Sequence, residues 1–292
     1  MSALTGKTVL VSGAARGIGA ATARALASEG AQLVLFDVDA QPLHELVAVI
    51  GDDRAVGTVA DVRDLDAVQA AVDAGVDRFG GLDFAVANAG VGAYGSVLQV
   101  DPEAFRTVID VDLVGVFHTV RATLPAIIER RGYLLLVSSM AAYLPMPGQA
   151  SYNAAKAGVE QFANTVRLEV ARHGVGVGSA HMGWIDTPLI RDARADLPAF
   201  DRMLTALPGP LGKVHDVDEC AAAFVRALGR RSRRVYVPGP MRTAAWARTL
   251  ITSAVADRIV LRALAHAPDA DGQVAALGRS MSARVAALLT ER

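Results

Sequence analysis

The chain has 292 residues, of which 52% are hydrophobic and 20% are charged, a composition typical of an ordered globular protein. The formal net charge of −1 provides no overall attraction for nucleic acid or for an acidic membrane, so neither is an expected partner. The single cysteine, Cys220, excludes an internal disulfide framework and fits a reducing compartment, so a cytoplasmic location is expected.

The first predicted strand, residues 8–11, leads into a glycine-rich turn, residues 12–19, and then into an alanine-rich helix that ends near Gly30. Glycines in such a turn let the backbone approach a pyrophosphate, which then sits on the N-terminus of the helix. The alternative is a tight strand-to-helix turn that binds no ligand. The expected phosphate-binding residues are Gly13, Arg16, Gly17, Ile18 and Gly19.

The second predicted strand, residues 32–36, ends at Asp37. A carboxylate here, about 20 residues after the glycine turn, accepts hydrogen bonds from the adenosine ribose hydroxyls and repels the 2′-phosphate of NADP. The next residue is Val38, so no basic side chain follows to bind that phosphate, and Arg16 is the one opposing charge. NAD is therefore the expected cofactor, and NADP is the less favoured one.

Strands and helices then alternate regularly, which predicts an α/β fold with a doubly wound, Rossmann-type parallel sheet and helices on both faces. Ligands of such sheets bind at the carboxyl ends of the strands, where Gly13, Asp37, Asp61, Asn88 and Ser139 all fall. We expect these residues to converge on one crevice. The further predicted strands are residues 55–59, 84–87, 133–137, 175–181 and 235–237, and the further predicted helices are residues 65–79, 105–128, 151–173 and 216–228.

A proton-transfer centre is predicted from Tyr152 and Lys156, four residues apart on one helix face, and from Ser139 at a strand end. A free phenol titrates near a pH of about 10. A neighbouring ammonium lowers that pKa, so Tyr152 becomes a usable general acid or base, and the Ser139 hydroxyl can hold a substrate oxygen beside it. The alternative is a half-buried tyrosine with a solvated lysine. Only three of the 29 basic residues are lysines, so a lysine at this position favours the proton-transfer role.

Several motifs follow one another along residues 5–240. Residues 12–19 match T-G-x-x-x-G-x-G with serine for threonine, residues 88–90 read N-A-G, and residues 182–187 are similar to P-G-x-x-x-T. Together with the spacing of Ser139, Tyr152 and Lys156, these motifs resemble the short-chain dehydrogenase/reductase family. The resemblance implies that Asp61 and Val62 contact the adenine, that Asn88, Ala89 and Gly90 line the cofactor, that Ile185 and Thr187 hold the nicotinamide carboxamide, and that Tyr152 and Lys156 contact the cofactor as well.

Two residues depart from the family pattern. The catalytic tetrad of the family includes an asparagine in a V-N-L-x-G pattern, where this chain has Asp112. A carboxylate near Lys156 would raise the lysine pKa or join the proton relay, so Asp112 is a predicted site residue; the alternative is that it only shapes the helix. Met182 replaces the proline of the second motif, which loosens a turn without removing a reactive group.

The resemblance also places the substrate pocket after residue 90, after Ser139 and in a lid at about residues 187–215. These segments are mostly apolar, which suits a hydrophobic alcohol or ketone such as a steroid, terpenoid, aromatic or lipid-derived molecule. Arg191, Arg194 and Arg202 could bind a carboxylate of the substrate, although the favoured interpretation is that they lie on a solvent-exposed face. The expected walls are Val91, Ala93, Tyr94, Met140, Ala142, Tyr143, Leu144, Met146, Trp184, Leu189, Ile190, Phe200, Met203, Leu204 and Leu207.

The resemblance ends at about residue 240, which predicts a catalytic domain over residues 1–240 and a helical extension over residues 241–292. The extension should form two amphipathic helices, residues 242–267 and about 274–288, separated by the stretch at residues 268–272. Packing against the body or a partner subunit is the favoured role of this tail. Peripheral attachment to a membrane surface, through its arginines and apolar residues, is the alternative.

The sequence therefore predicts an NAD(H)-dependent oxidoreductase that interconverts a hydrophobic secondary alcohol and its ketone or an aldehyde. A catalytically silent nucleotide-binding module and a non-redox epimerase or dehydratase remain the alternatives. The resemblance implies a homodimer or homotetramer. No metal site is expected, since the six histidines lack ligand spacing, and no membrane span or signal peptide is expected.

Overall fold

A computed structural model describes residues 2–207, 209–251, 253–265 and 269–290 of the chain. The strands are β1 (Thr8–Ser12), β2 (Gln32–Asp37), β3 (Ala55–Val59), β4 (Phe84–Ala87), β5 (Tyr133–Val137), β6 (Gly176–Met182), β7 (Trp184–Ile185), β8 (Val214–His215) and β9 (Arg234–Val237). Seven of them form one parallel sheet in the order β3-β2-β1-β4-β5-β6-β9, while β7 and β8 pair separately. The predicted Rossmann-type sheet is confirmed.

Helices cover both faces of the sheet. The larger ones are α1 (Gly17–Ser28), α2 (Ala40–Ile50), α3 (Leu65–Phe79), α4 (Pro102–Ile109), α5 (Gly115–Glu129), α6 (Ala150–Glu169), α7 (Pro188–Asp196), α8 (Pro198–Ala206) and α9 (Val217–Arg230). The tail adds α10 (Met241–Trp246), α11 (Arg248–Ile251), α12 (Ala254–Leu264), α13 (Ala270–Leu277) and α14 (Ala283–Thr290). Short 3-10 turns lie at Met140–Ala142, Ala171–His173 and Gly209–Gly212.

The hydrophobic core lies in two layers on either side of the sheet. One layer joins the sheet to α1, α2 and α9, and the other joins it to α3, α5 and α6. The central strands β1 and β5 are buried along their whole length because both of their faces are covered, which explains their unbroken apolar sequences.

The predicted helix at residues 105–128 is longer and is interrupted. It begins at Pro102, where the carboxylate of Asp101 accepts the backbone N–H of Glu103, and a π-helical turn at Asp110–Val114 separates α4 from α5. Such single π-helical turns often occur at functional sites. The helix predicted at residues 151–173 is α6, which ends at Glu169, four residues earlier than predicted. The sequence did not predict α2.

The lid and the tail hold more structure than the sequence predicted. The lid contains α7, α8 and β8. The tail forms five short helices in place of the two predicted ones, and residues 266–268, on which the predicted break partly falls, lie outside the described residues. Gly278 ends α13 with a φ of 62°, a left-handed conformation that glycine adopts freely. The chain then continues across the body before α14 begins.

By length and composition alone, one helical stretch among the described residues, Pro102–Glu129, could cross a membrane. Half of its apolar window is buried against the rest of the protein, as in the core helices of many soluble proteins, so the stretch is weak evidence for a span.

Candidate active site

The carboxyl ends of the strands open onto one cleft of about 230 Å³, at the edge that the sequence predicted. Gly19 lies beneath the glycine turn, where an added Cβ would come within 2.0 Å of the Gly13 carbonyl oxygen. The other predicted cofactor residues line the cleft: Gly13, Arg16, Gly17, Ile18, Asp37, Asp61, Val62, Asn88, Ala89, Gly90, Tyr152, Lys156, Ile185 and Thr187.

The glycine turn is held against the neighbouring strand by Asn88. Its amide nitrogen donates to the carbonyl oxygens of Ser12 (3.0 Å) and Gly13 (3.1 Å), and its backbone N–H donates to the Ser12 hydroxyl (2.9 Å). Gly13 has a φ of 64°, and a Cβ there would lie 2.7 Å from the Cα of Ala89. This tight turn leaves the N-terminus of α1 facing the cleft, which fits the diphosphate of a dinucleotide.

Asp37 is fixed at the end of β2 by two backbone groups. Its carboxylate accepts the N–H of Ala15 (2.8 Å) and of Asp39 (3.0 Å). Burial raises the pKa of Asp37, and these hydrogen bonds oppose that rise. Arg16 pairs with Asp39 at 2.6 Å, so the one basic side chain that opposed the NAD interpretation has its charge compensated.

The buried centre of the site is an ion pair between Lys156 and Asp112. The Lys156 Nζ lies 3.0 Å from the Asp112 Oδ2, and the two side chains are only 3% and 0% exposed. Lys156 also donates to the carbonyl oxygen of Val137 (3.2 Å), and Asp112 accepts the backbone N–H of Val91 (2.7 Å). The π-helical turn therefore holds Asp112 in the same cluster as Lys156, in direct contact with its ammonium.

Burial and charge act in opposite directions on the pKa of Lys156 and on that of Asp112. Burial by itself favours the neutral amine of Lys156, but Asp112 and Tyr152 raise its pKa, as the sequence predicted for a nearby carboxylate. Burial raises the pKa of Asp112, and Lys156 opposes that rise. Because the carboxylate and the ammonium stabilise each other, we describe them as a pair with almost no net charge.

The net shift in the pKa of the Tyr152 phenol is opposite to the one predicted from Lys156 alone. Its pKa is raised from the ordinary value, because burial outweighs the lowering effects of Lys156 and of a side-chain hydrogen bond with Ser139, and because Asp112 raises it further. The ammonium therefore lowers the phenol pKa as predicted, but burial and Asp112 outweigh its contribution. The Lys156 Nζ lies 5.4 Å from the centre of the Tyr152 ring, and Asp112 offsets part of its charge.

A second cavity of about 240 Å³ adjoins the cleft, and Ser139 and Tyr152 line both. The Ser139 hydroxyl accepts the N–H of Ala141 (3.1 Å) and donates to the carbonyl oxygen of Met182 (3.3 Å), which fixes its position between the two. Among the described residues that line this second cavity, none is charged. The predicted walls that do line it are Ala93, Tyr94, Met140, Leu144, Met146, Trp184, Leu189, Ile190, Met203 and Leu207.

Other predicted wall residues lie elsewhere. Val91 lines the cofactor cleft, and Tyr143 packs against His181. Phe200 contacts the Trp184 ring edge-on, behind the cavity wall. Ala142, Leu204 and the three lid arginines do not line the second cavity; Arg191 pairs with Asp186 and Arg194 with Asp201 at the surface.

The tail contributes wall residues that the sequence did not assign to the site. Met241 and Val260 line the second cavity, while Arg284, Val285 and Leu288 line the cofactor cleft. Val285 and Leu288 belong to the apolar pattern that predicted a helix over about residues 274–288. The pattern contained no signal of which surface they would cover.

The comparisons with known proteins agree with this geometry. The family model for short chain dehydrogenases matches residues 7–198. A 3-oxoacyl-[acyl-carrier-protein] reductase of Synechocystis is 34% identical over 243 residues, which cover 82% of this chain and 95% of the relative. A cis-4-hydroxycyclohexanecarboxylate dehydrogenase of Sinomonas cyclohexanicum is 37% identical over 225 residues, which cover 75% of this chain and 87% of the relative.

A solved structure shares the architecture. The crystal structure of a short chain dehydrogenase from Mycobacterium paratuberculosis bound to NAD superposes with a TM-score of 0.70 at 31% sequence identity. The match covers 80% of this chain and 97% of that one. The match to the family model ends at residue 198, before the tail that reaches the cleft.

Proposed function

The chain belongs to the short-chain dehydrogenase family, and on that premise we propose that it is an NAD(H)-dependent oxidoreductase that interconverts a neutral, hydrophobic secondary alcohol and its ketone. The observation that carries the proposal is the position of Ser139 and Tyr152, which line both the cofactor cleft and the uncharged second cavity. If these hydroxyls hold the substrate oxygen, the carbon bonded to that oxygen would lie at the boundary between the cofactor cleft and the second cavity.

Bound NAD would supply the redox chemistry by accepting a hydride at the nicotinamide C4, and the protein would supply position and proton transfer. In alcohol oxidation Tyr152 takes the hydroxyl proton while the carbon loses its hydride, and in ketone reduction Tyr152 returns a proton to the oxygen. Ser139 orients that oxygen. Lys156 stabilises the phenolate, and Asp112 keeps Lys156 protonated in the interior.

The substrate class follows from the walls of the second cavity. The relatives named above reduce or oxidise oxygen functions on acyl or ring carbons, as their names state. The carboxylate of a hydroxycyclohexanecarboxylate would meet no basic side chain among the described wall residues here. A neutral ring or chain is therefore the better occupant, because burying an unpaired carboxylate is costly.

A matched pair of alcohols tests this function. Cyclohexanol carrying a 4-methyl group and the analogue carrying a 4-carboxylate are each incubated with NAD, and the absorbance of the reduced nicotinamide is followed. We expect turnover of the methyl compound with kcat/KM at least about tenfold higher than that of the carboxylate, or about 1.4 kcal/mol. Preference for the carboxylate would contradict the assigned substrate class.

The two rival functions give different results in a wider panel of neutral alcohols and ketones. A catalytically silent module would bind NADH and turn over none of them. A non-redox epimerase or dehydratase would form product with no net change in the absorbance of reduced nicotinamide. Either result would overturn the oxidoreductase proposal.

We propose NAD as the cofactor in preference to NADP. Asp37 faces the cleft at the expected ribose position, and Arg16 is paired with Asp39. Titration of wild type and Asp37→Ala with NADH and NADPH tests this choice. We expect wild type to bind NADH more tightly and the variant to lose that preference; tighter NADPH binding by wild type would contradict the role of Asp37.

The family resemblance also supports a cytoplasmic homodimer or homotetramer, which sedimentation velocity can test. A monomer at micromolar concentration would contradict it.

Peripheral membrane attachment through the tail stays a second proposal, supported by Trp246 and Leu250, which are 86% and 70% exposed. Co-sedimentation with phosphatidylglycerol vesicles that is lost in Trp246→Glu would support attachment, and absence of wild-type binding would exclude it.

A further inference from the structure

The cofactor cleft contains a basic side chain that comes from the tail. Arg284 lies on α14, outside the residues that match the family, and it lines the cleft together with Val285 and Leu288. Val285 is 5% exposed and packs into a cluster with Ala104 and Ala155, so α14 is seated on the helices that carry the catalytic centre.

The tail is attached to the body by the residues just before this helix. The backbone N–H of Tyr94 donates to the carbonyl oxygen of Ser280 (2.6 Å), and the Ser280 hydroxyl accepts the N–H of Asp101 (2.9 Å). Arg279 pairs with Asp196 at 2.6 Å, at the end of α7. The two contacts of Ser280 fix the approach of α14, so the position of Arg284 is set by the fold.

Arg284 differs from the other cationic side chains of the cleft in where its ion-pair partner lies. Four carboxylates line the cleft (Asp37, Asp39, Asp61 and Asp112), and the three cationic side chains of its described lining are Arg16, Lys156 and Arg284. Arg16 is paired with Asp39 and Lys156 with Asp112, so these cations are compensated by carboxylates of the same lining. Arg284 instead pairs with Asp192, at 3.0 Å, which does not belong to the lining.

The pair of Arg284 with Asp192 can exchange partners. The two side chains are 32% and 28% exposed, so solvent replaces much of the lost contact when they separate. A diphosphate offers a guanidinium two charged oxygens in the fork geometry that arginine matches well.

We propose that Arg284 is a cofactor-binding residue supplied by the tail, which contacts the diphosphate of the bound dinucleotide and retains it in the cleft. The inference rests on the proposed NAD(H) dependence. It assigns to the extension beyond residue 240 a role in holding the cofactor, in addition to covering hydrophobic surface.

Fluorescence titrations with NADH and with ADP-ribose, which carries the diphosphate but no nicotinamide, test the proposal. We expect Arg284→Ala to weaken binding of both ligands by about 10-fold or more, the loss of one charge-assisted contact. Arg284→Lys should recover part of the affinity because it keeps the charge. Arg279→Ala is the matched control, since it removes a neighbouring tail-to-lid ion pair that does not line the cleft, and it should change either dissociation constant less than threefold.

Three outcomes would overturn the inference. Equal effects of Arg284→Ala and Arg279→Ala would show that both arginines only attach the tail. A loss of NADH affinity without a loss of ADP-ribose affinity would place the contact away from the diphosphate. Wild-type affinity in Arg284→Ala, checked for an unchanged melting temperature, would remove the contact altogether. Failure of the proposed NAD(H) dependence, on which the inference rests, is distinguished from these because wild type itself would then bind no NADH.

Discussion

Two ion pairs border the same cleft, and their surroundings differ sharply. Lys156 and Asp112 lie in the interior with 3% and 0% of their side chains exposed, whereas Arg284 and Asp192 are about one-third exposed. In the interior, each charge depends on its partner because water cannot replace it. At the rim, water can replace either partner, so the arginine is free to serve a ligand. Similar distances therefore support a fixed catalytic centre in one region and an exchangeable contact in the other.

The largest expected effect comes from breaking the interior pair. Asp112→Ala leaves the Lys156 ammonium buried without its counter-charge, so we expect the free energy of unfolding to fall by about 3–5 kcal/mol. Chemical denaturation measures this loss. Asp112→Asn should lose less, because the amide oxygen can still accept one of the two hydrogen bonds. A loss below about 1 kcal/mol in Asp112→Ala would show that solvent reaches the pair.

The same carboxylate should set the pH dependence of catalysis. Alcohol oxidation needs the Tyr152 phenolate, so its rate rises as pH rises through the phenol pKa. Asp112 raises that pKa, and Asp112→Asn should therefore move the rising limb of the kcat/KM profile to lower pH. A limb that stays in place would contradict the electrostatic role given to Asp112, whereas a limb that moves to higher pH would show that Lys156 loses its proton without this carboxylate.

A smaller effect is expected from a substitution in the buried apolar cluster that α14 packs against. Val285→Ala removes two methyl groups from a buried cluster, which should cost about 1–2 kcal/mol of unfolding free energy by the hydrophobic area lost. The variant should also weaken NADH binding, because Arg284 lies on α14 and moves with that helix. Unchanged stability and unchanged NADH affinity would mean that the tail does not rest on the body in solution.

The smallest effect is expected at the outer ion pair of the tail. Arg279 and Asp196 are 29% and 17% exposed, so Arg279→Ala should lower stability by about 1 kcal/mol or less, and by less still at high salt. Thermal unfolding at low and high ionic strength measures this. A loss as large as that of Asp112→Ala would erase the distinction between the two regions.

Much of this organisation could be predicted from the sequence, because local patterns determine it. Apolar runs identified the strands of the parallel sheet, and the residues that follow them, among them Asp37, Asn88 and Ser139, had to meet at one edge. The fold class and the family are confirmed by the structure and the comparisons. The roles of the individual site residues stay predictions until the experiments above are made.

The remaining features depend on contacts between distant segments. The phenol pKa of Tyr152 depends on burial, which the spacing of Tyr152 and Lys156 does not reveal. The π-helical turn that brings Asp112 to Lys156 has no signature in the apolar pattern. The place of Arg284 depends on where the tail docks, through contacts such as that between Tyr94 and Ser280, almost 190 residues apart in sequence.

The most direct test of the account is a label-transfer measurement. Wild type and Tyr152→Phe are incubated with NAD and a neutral secondary alcohol that carries deuterium on the carbinol carbon, and the reduced cofactor is analysed by mass spectrometry. The account predicts deuterium in the reduced nicotinamide for wild type, and a rate that is lower by about 10²- to 10⁴-fold in the variant, which lacks the proton acceptor. Product formed without label in the cofactor, or an undiminished rate in Tyr152→Phe, would contradict it.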